Sequence, residues 1–299
     1  MRRGYTLIEI IITVAITGIL SVGMFKAFEA ITTRSEKAKI LSSLSIDSQS
    51  ALDQISLLLY NRAPMSMQGC DIAGNCESLD GSLYTKNILK WYGTASESYQ
   101  AEDYSGFVDM NASVTSKPIL QSPDTNLSKV LTTERSKWNN TFTLSDMGLV
   151  FSGTFEDGIS PTPNLFKSTN DKIEFLNTTN IPSINERYYL IDSAYAVVRG
   201  EHLPNQTATC INNLGKLKDI NNTLFLFYNY RPWKTPLESF CADIASNNPL
   251  GQVTILATNV NAFAAHQLNG TIRLGIDMNS SVGNNKINPI RLSKQKVVF

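Results

Sequence analysis

One carboxylate stands alone in the most apolar part of the chain. Glu9 is the only charged residue between Tyr5 and Phe25. These residues, about 21 in number, are enough to cross the hydrocarbon core of a bilayer as a helix. An acidic residue at the centre of such a helix costs about 2.5–3.5 kcal/mol on insertion scales, so it usually has a partner and a purpose. The sequence therefore predicts a positively charged partner for Glu9.

The residues just before this segment indicate what that partner is. Arg2 and Arg3 favour a cytoplasmic N-terminus, and Gly4 follows them. The arrangement resembles the leader of type IV pilins and type II secretion pseudopilins. The resemblance implies that a prepilin peptidase cuts between Gly4 and Tyr5 and methylates the new amino group of Tyr5. Glu9 is then the fifth mature residue, and we expect it to pair with the N-terminal amine of a neighbouring subunit during filament assembly.

Two simpler explanations of the apolar N-terminal segment, a secretory signal and a signal anchor, fit fewer of its features. An ordinary secretory signal has an apolar region of only about 7–15 residues, followed by a small-residue cleavage site. A plain signal anchor explains the length and the arginines, but not a glutamate at that distance from Gly4. The chain departs from the commonest form of the family in two places. Tyr5 replaces the usual phenylalanine, and Lys26 stands where many major pilins have a proline that kinks the helix.

The four cysteines suit a compartment outside the cytoplasm. Cys70 and Cys76 enclose a short loop, whereas Cys210 and Cys241 bracket a long one. Four cysteines allow three pairings, and proximity favours 70–76 with 210–241. Free thiols and a metal site are the alternatives. The metal site is the weaker of the two, because the spacing lacks paired CxxC motifs.

A repeated surface pattern combines an acidic residue, an asparagine and a hydroxyl residue at alternate positions. It resembles the extended acceptor sequon of bacterial oligosaccharide transferases. The same residue types are also enriched together in turns, so glycosylation and turn formation both remain open. The candidate acceptors are Asn111, Asn126, Asn221 and Asn279.

No motif for catalysis is present. His202 and His266 lack a serine or cysteine in a nucleophile context, and there is no phosphate-cradling glycine loop or HExxH. We therefore predict no catalytic residue, no metal site, no cofactor and no enzyme activity. Calcium is the one cofactor with candidate ligands, at Asp277–Ser281 and Glu156–Gly158. Neither has EF-hand spacing, and we interpret both as turns.

The N-terminal segment continues into an amphipathic helix. No proline or glycine interrupts 26–63, and Pro64 disfavours helix at the residue before it. We therefore predict one helix of nearly 60 residues, with its first half in lipid or a filament core and its second half against a globular head. Apolar residues recur at helical intervals in the second half: Phe28, Ile31, Ala38, Leu41, Leu44, Leu52, Ile55 and Leu59.

The rest of the chain is predicted to be richest in strands after about residue 171. Residues 65–170 predict loops, a short helix near Asn87–Tyr92 and one or two strands. A helical turn is expected at Leu237–Ala245, around Cys241. Alternating or continuous apolar runs predict strands at Lys172–Leu176, Tyr188–Arg199, Thr223–Tyr230, Gln252–Thr258, Thr271–Met278 and Lys296–Phe299.

A long helix followed by an antiparallel sheet domain is an α+β arrangement. The predicted domains are a leader (1–4), a transmembrane helix half (5–25), an amphipathic helix half (26–63) and a periplasmic head (64–299). The strand pattern of the head resembles the J-type minor pseudopilin of type II secretion and the comparable minor pilin. In those proteins the subunit belongs to a small complex at the filament tip.

Composition narrows the function further. The chain has 299 residues, with 26 lysines and arginines balancing 26 acidic residues. This balance argues against direct nucleic-acid binding, which needs a basic face. We predict a minor pilin or pseudopilin in the inner membrane, its N-terminus cytoplasmic and its head periplasmic, at the tip of a filament or in the complex that primes its assembly. The expected partners are prepilin peptidase, other pilin subunits, the inner-membrane assembly platform and membrane lipid. The alternative is a membrane-anchored periplasmic binding module or adhesin that does not assemble.

Overall fold

The computed structural model describes residues 6–64, 66–72, 75–79, 87–111, 119–138, 140–152, 165–169, 171–175, 184–203, 209–233, 251–268, 270–282 and 285–299. The helices are α1 (Leu7–Tyr60), α2 (Ser96–Gln100), α3 (Leu127–Lys137) and α4 (Thr209–Asn212), with 3-10 turns at Leu144–Asp146 and Gly200–His202.

The described residues also form thirteen strands. They are β1 (Gln68–Cys70), β2 (Cys76–Ser78), β3 (Ile88–Thr94), β4 (Ile119–Gln121), β5 (Gly148–Phe151), β6 (Leu165–Thr169), β7 (Lys172–Phe175), β8 (Tyr188–Arg199), β9 (Leu224–Tyr230), β10 (Gln252–Ala257), β11 (Val260–Leu268), β12 (Thr271–Val282) and β13 (Asn285–Val298). A long helix followed by antiparallel strands confirms the predicted α+β class.

The chain divides into two compact units. One contains 1–46 and 279–292, and the other contains 47–278 and 293–299. Helix α1 and strands β12 and β13 therefore contribute to both units. The first unit holds the apolar part of α1, and the second, which we call the head unit, holds the two largest described hydrophobic clusters.

The end of α1 is tied to strand β3 within the head unit. After Tyr60 the backbone N–H of Ala63 donates to the Tyr92 carbonyl at 2.7 Å, and that of Thr94 donates to the Asn61 carbonyl at 2.8 Å. Pro64 then follows and prevents the helix from continuing. These two backbone bonds fix where the helix stops and where the sheet begins.

Strand β8 is the central element of the largest sheet. The order is β10-β9-β8-β3-β1-β2, and β5 pairs with the first residues of β8. All the described pairings in this sheet are antiparallel. Ten of the twelve residues of β8 are buried, which explains why its sequence reads as a nearly continuous apolar run rather than as an alternating one. Two smaller sheets have the orders β11-β12-β13 and β4-β7-β6.

Two hydrophobic clusters meet along β8. One contains Ala194, Ala196 and Val198 from the second half of the strand, with aromatic residues of β9. The other contains Tyr188 and Leu190 from the first half, together with Leu127 and Val130 of α3. The single strand therefore organises both parts of the core in the head unit.

Several predictions about local structure were wrong. The helix expected near Asn87–Tyr92 is strand β3, and residues 277–281, expected to form a turn, lie within strand β12. Strand β11 was not predicted. The strand expected at Lys296–Phe299 begins earlier, at Asn285. By contrast, the strand predicted at Tyr188–Arg199 is confirmed at both ends. The candidate turns at 156–158 and 237–245 lie outside the described residues.

Candidate functional site

The first described turn of α1 contains Glu9. Its carboxylate oxygen Oε2 accepts hydrogen bonds from the backbone N–H and the hydroxyl group of Thr6, each at 2.9 Å. Thr6 directly precedes the helix, so Glu9 satisfies a backbone donor that the helix leaves free, as in half of a capping box. An acidic side chain at this end also interacts favourably with the helix dipole. The predicted cleavage and methylation residues Gly4 and Tyr5 lie outside the described residues.

The helix that follows exposes apolar side chains in every direction. Within the described residues, α1 is the one helix long and apolar enough to span a membrane, and none of its most apolar stretch is buried. Its polar side chains are satisfied within the helix: the hydroxyls of Thr13, Thr17 and Ser21 each donate to the carbonyl four residues earlier. A helix with this surface suits lipid or the apolar helices of other subunits.

The structure joins Cys70 and Cys76 in a disulfide, the pairing that their proximity favours. The two residues face each other in the antiparallel register of β1 and β2, so the bridge closes this hairpin. Cys210, at the start of α4, is also disulfide-bonded. Its predicted partner Cys241 lies outside the described residues.

The four glycosylation candidates differ in exposure. In three of the four patterns, an aspartate or asparagine side chain accepts a hydrogen bond from a nearby backbone N–H. Asn111 and Asn221 are exposed. The amide oxygen of Asn126 instead accepts the backbone N–H groups of Ser128 and Lys129 and caps α3. Asn279 is half-buried in β12. Helix capping is therefore one function of the pattern at Asn126.

The same turn chemistry recurs at the other exposed candidates. The backbone N–H of Asn111 donates to the Asp109 carboxylate at 2.9 Å. Asp219 accepts both the backbone N–H and the side-chain amide of Asn222, the residue after Asn221. Turn formation accounts for the aspartates in these two patterns, and glycosylation of the four asparagines stays a prediction.

A cluster of charged side chains in the head unit escaped the sequence analysis. We call it the carboxylate cluster: Glu97 of α2, Glu134 and Lys137 of α3, and Asp192 of β8. Helix α2 is held beside β8 because the backbone N–H of Ala95 donates to the Leu190 carbonyl at 2.8 Å. One signal was available in the sequence, since Asp192 is the only acidic residue in the apolar run of β8.

Lys137 supplies the ammonium group of the cluster. Its Nζ lies 2.6 Å from Asp192 Oδ2 and 2.7 Å from Glu97 Oε2. Asp192 Oδ2 also accepts the indole N–H of Trp138 at 3.1 Å, and Glu134 Oε1 accepts the hydroxyl of Ser98 at 2.6 Å. One carboxylate oxygen from each of the three acids lies within 4.8 Å of the other two.

Burial controls the protonation of the cluster. Glu134 and Asp192 are both fully buried. Burial, together with the charge of Asp192, raises the pKa of Glu134 to about 8. Burial raises the pKa of Asp192 as well, against the influence of the Lys137 ammonium. Burial also opposes the charge of Lys137, but its ion pair with Asp192 prevails, and the pKa of the ammonium lies above its usual value.

The comparisons with known proteins concern the N-terminus. Residues 1–25 match the family described as the prokaryotic N-terminal methylation motif. No curated protein and no solved structure matches the chain. The match supports the predicted type IV pilin-like N-terminus, whose motif is the one that a prepilin peptidase processes. The likeness of the head to J-type minor pseudopilins stays a prediction.

Proposed function

Because the chain begins with the N-terminus of a type IV pilin-like protein, we propose that it is a minor structural subunit of a type II secretion pseudopilus or a type IV pilus-like filament. The observation that carries this proposal is the match of residues 1–25 to the methylation motif. The matched residues include the first part of α1, with its exposed apolar side chains and with Glu9 in the first turn.

The subunit first resides in the inner membrane. Residues 5–25 span the bilayer, with Arg2 and Arg3 holding the N-terminus in the cytoplasm and the head in the periplasm. The disulfide between Cys70 and Cys76 supports a head outside the cytoplasm, because disulfides persist in oxidising compartments. Prepilin peptidase then cuts after Gly4 and methylates the amine of Tyr5, and the inner-membrane assembly platform extracts the mature chain.

In the filament, Glu9 pairs with the N-terminal amine of a neighbouring subunit. The hydrogen bonds from Thr6 hold its carboxylate at the start of the helix, close to where a new N-terminus at Tyr5 would begin. An ionised carboxylate has about four acceptor sites, so Glu9 can receive the amine without losing Thr6. Pairing neutralises both charges where lipid or apolar helices exclude water.

The size of the head favours a position at the tip or in the complex that primes assembly. Residues 64–299 make a head too large to be repeated easily along a thin filament, whereas a single copy at the tip meets no such limit. The charge balance of the whole chain gives no reason to assign it direct nucleic-acid binding.

The test is N-terminal mass spectrometry of the protein extracted from membranes that contain a prepilin peptidase. We expect a mature chain that begins at N-methylated Tyr5. Gly4→Leu should retain Met1, because the leader glycine is lost. Gly18→Leu is the matched control, since a side chain at Gly18 meets open space, and it should be processed normally. Retention of Met1 in the unaltered protein would contradict the proposal and leave the anchored binding module.

A further inference from the structure

Two oxygens of the carboxylate cluster have no hydrogen-bond partner among the described residues. They are Glu134 Oε2 and Asp192 Oδ1, and both residues are fully buried. A buried acceptor without a donor costs about 1–3 kcal/mol, and more when it is charged. Two such acceptors, on two buried acids of one cluster, indicate a ligand that is held by oxygen atoms.

The charges of the cluster point to the same conclusion. Three carboxylates face one ammonium group, and Lys137 is already engaged by Glu97 and Asp192. The nearby guanidinium of Arg231 donates to the backbone carbonyl of Asp192 and to the side-chain oxygen of Asn229. Without metal, Glu134 keeps its proton at neutral pH, because its pKa is about 8. A divalent cation would displace that proton, and it would balance the net charge of about −2 that the three ionised acids and Lys137 then carry.

We propose that Glu97, Glu134 and Asp192 bind one divalent cation of the calcium class, beside the ammonium of Lys137. Carboxylate and hydroxyl oxygens are the ligands that hard cations prefer. Calcium tolerates irregular geometry, and it fills the remaining positions of its shell with water. The three carboxylate oxygens already lie within 4.8 Å of one another, so small side-chain rotations bring them around one ion.

The cluster is also accessible to an ion from solvent. The side chain of Glu97 is 49% exposed and that of Lys137 is 23% exposed, whereas Glu134 and Asp192 form the buried floor. An ion can therefore enter past Glu97 and reach oxygens that water does not freely reach. This placement predicts that Glu97 affects entry and affinity, while Glu134 is essential for retention.

A shared proton is the competing explanation of the two oxygens. Burial raises the pKa of Glu134 to about 8, so a neutral Glu134 could donate a hydrogen bond to Asp192 in the absence of metal. The two explanations differ in one measurable respect. A cation stabilises the folded protein in proportion to the logarithm of its concentration, whereas a shared proton makes stability indifferent to calcium.

The experiment is thermal unfolding of the full-length protein in detergent, stripped with EDTA and then titrated with calcium chloride or magnesium chloride. We expect the Tm to rise by about 5–10 °C when calcium exceeds its Kd a hundredfold, and by less with magnesium. Isothermal titration should show one site. Absence of a calcium-dependent rise in the unaltered protein would overturn the proposal and favour the shared proton.

Two variants locate the site. Glu134→Gln should fold as stably as the unaltered protein in EDTA, because an amide places no charge in this buried position and can still accept the Ser98 hydroxyl, but its Tm should no longer respond to calcium. Glu186→Gln is the matched control, since Glu186 is exposed and lies outside the cluster, and it should respond fully. If Glu134→Gln fails to fold, Glu97→Gln at the exposed rim replaces it, and its rise in Tm should need a higher calcium concentration than that of the unaltered protein. An undiminished response in the cluster variant would overturn the assignment.

Discussion

At the level of single residues, Glu9 and Asp192 are both acidic side chains in apolar parts of the chain, but they have different partners. Each is an acidic residue in an apolar run, where an unpaired charge is costly. Asp192 receives the ammonium of Lys137 and the indole N–H of Trp138 from its own chain. Glu9 receives the neutral donors of Thr6. Asp192 is paired with an ammonium group within the head unit, whereas the donors that Glu9 receives from Thr6 are neutral. The proposed function assigns Glu9 a cation from another subunit.

This difference predicts the effect of removing Glu9. Glu9→Val should insert into the membrane at least as well as the unaltered chain, because a costly carboxylate is gone. Its assembly should fall by at least about tenfold, since leaving a neighbour's amine unpaired costs well over about 1.4 kcal/mol. The measurement is recovery in sheared filaments relative to the membrane fraction. Glu29→Val, an exposed site on the same helix, is the control, and equal recovery of both variants at the unaltered level would refute the role of Glu9.

The carboxylate cluster predicts how stability depends on pH in the presence of EDTA. The pKa of Glu134 is about 8 in the folded protein against 4.5 as the ordinary value, so the folded state binds the extra proton between these values. Its contribution is complete below about pH 4.5 and is lost as the pH rises through about 8. The free energy of unfolding should therefore fall between pH 5 and pH 9.

The other groups of the cluster do not reverse this trend. The pKa of Asp192 is also raised, so this group too makes the folded protein less stable as the pH rises. Glu97 has a lowered pKa, because its bond to Lys137 outweighs burial, and it stays ionised throughout the range. The raised pKa of Lys137 keeps it protonated. Urea denaturation should show the fall for the unaltered protein and a flatter profile for Glu134→Gln. Identical profiles would refute the assignment to Glu134.

At the level of elements, the sequence predicts the long regular segments well. Helix α1 was predictable because 26–63 lack proline and glycine and Pro64 stops the helix. Strand β8 was predictable because its twelve residues form an apolar, β-branched and aromatic run bounded by turn residues. In both cases the local signal and the burial in the fold agree.

The short elements were not predictable, for reasons that individual residues illustrate. Strand β3 is a seven-residue run whose periodicity fits either a helix or a strand, and its pairing with β8 decides between them. Helix α3 was missed because its N-cap, Asn126, belongs to a residue pattern shared by caps, turns and sugar acceptors. The carboxylate cluster was missed because its members lie up to 95 residues apart on three elements, from Glu97 to Asp192, and only tertiary packing brings them together.

The turn between β8 and the next segment provides a test of packing between elements. Gly200 is buried, and a Cβ atom there would approach the carbonyl oxygen of Ile220 more closely than real Cβ atoms do. Backbone atoms at that distance have to move, and overpacking of this kind costs about 1–3 kcal/mol. Gly200→Ala should lower the free energy of unfolding by that amount in urea denaturation.

Gly275 of β12 provides the matched control for this substitution. The nearest atoms to an added Cβ are 3.9 Å away, an ordinary contact distance. Gly275→Ala should be neutral or slightly stabilising, because alanine restricts the unfolded chain. Equal losses of stability at both positions would mean that the close approach to Ile220 is unimportant.

At the level of the whole molecule, the chain combines an apolar helix segment that needs an apolar environment with a head unit that has a core of its own. The apolar part of α1 is fully exposed within the chain and needs lipid or other subunits. The head unit has its own core, with two clusters meeting along β8 and a disulfide in the hairpin of β1 and β2. In the proposed function, the apolar surface that the fold leaves uncovered serves anchoring and assembly.

This division predicts the behaviour of a chain that lacks residues 1–25. Their described side chains are exposed, so deleting them removes no buried apolar area from the head unit. Exported behind a cleavable secretory signal, the truncated protein should be soluble in the periplasm without detergent. Its Tm should lie within about 2 °C of the full-length value, because less than about 1 kcal/mol of stability changes. It should also fail to enter sheared filaments. A truncated head that unfolds or aggregates would show that the apolar part of α1 stabilises the head, and incorporation into filaments would show that assembly depends on the head alone.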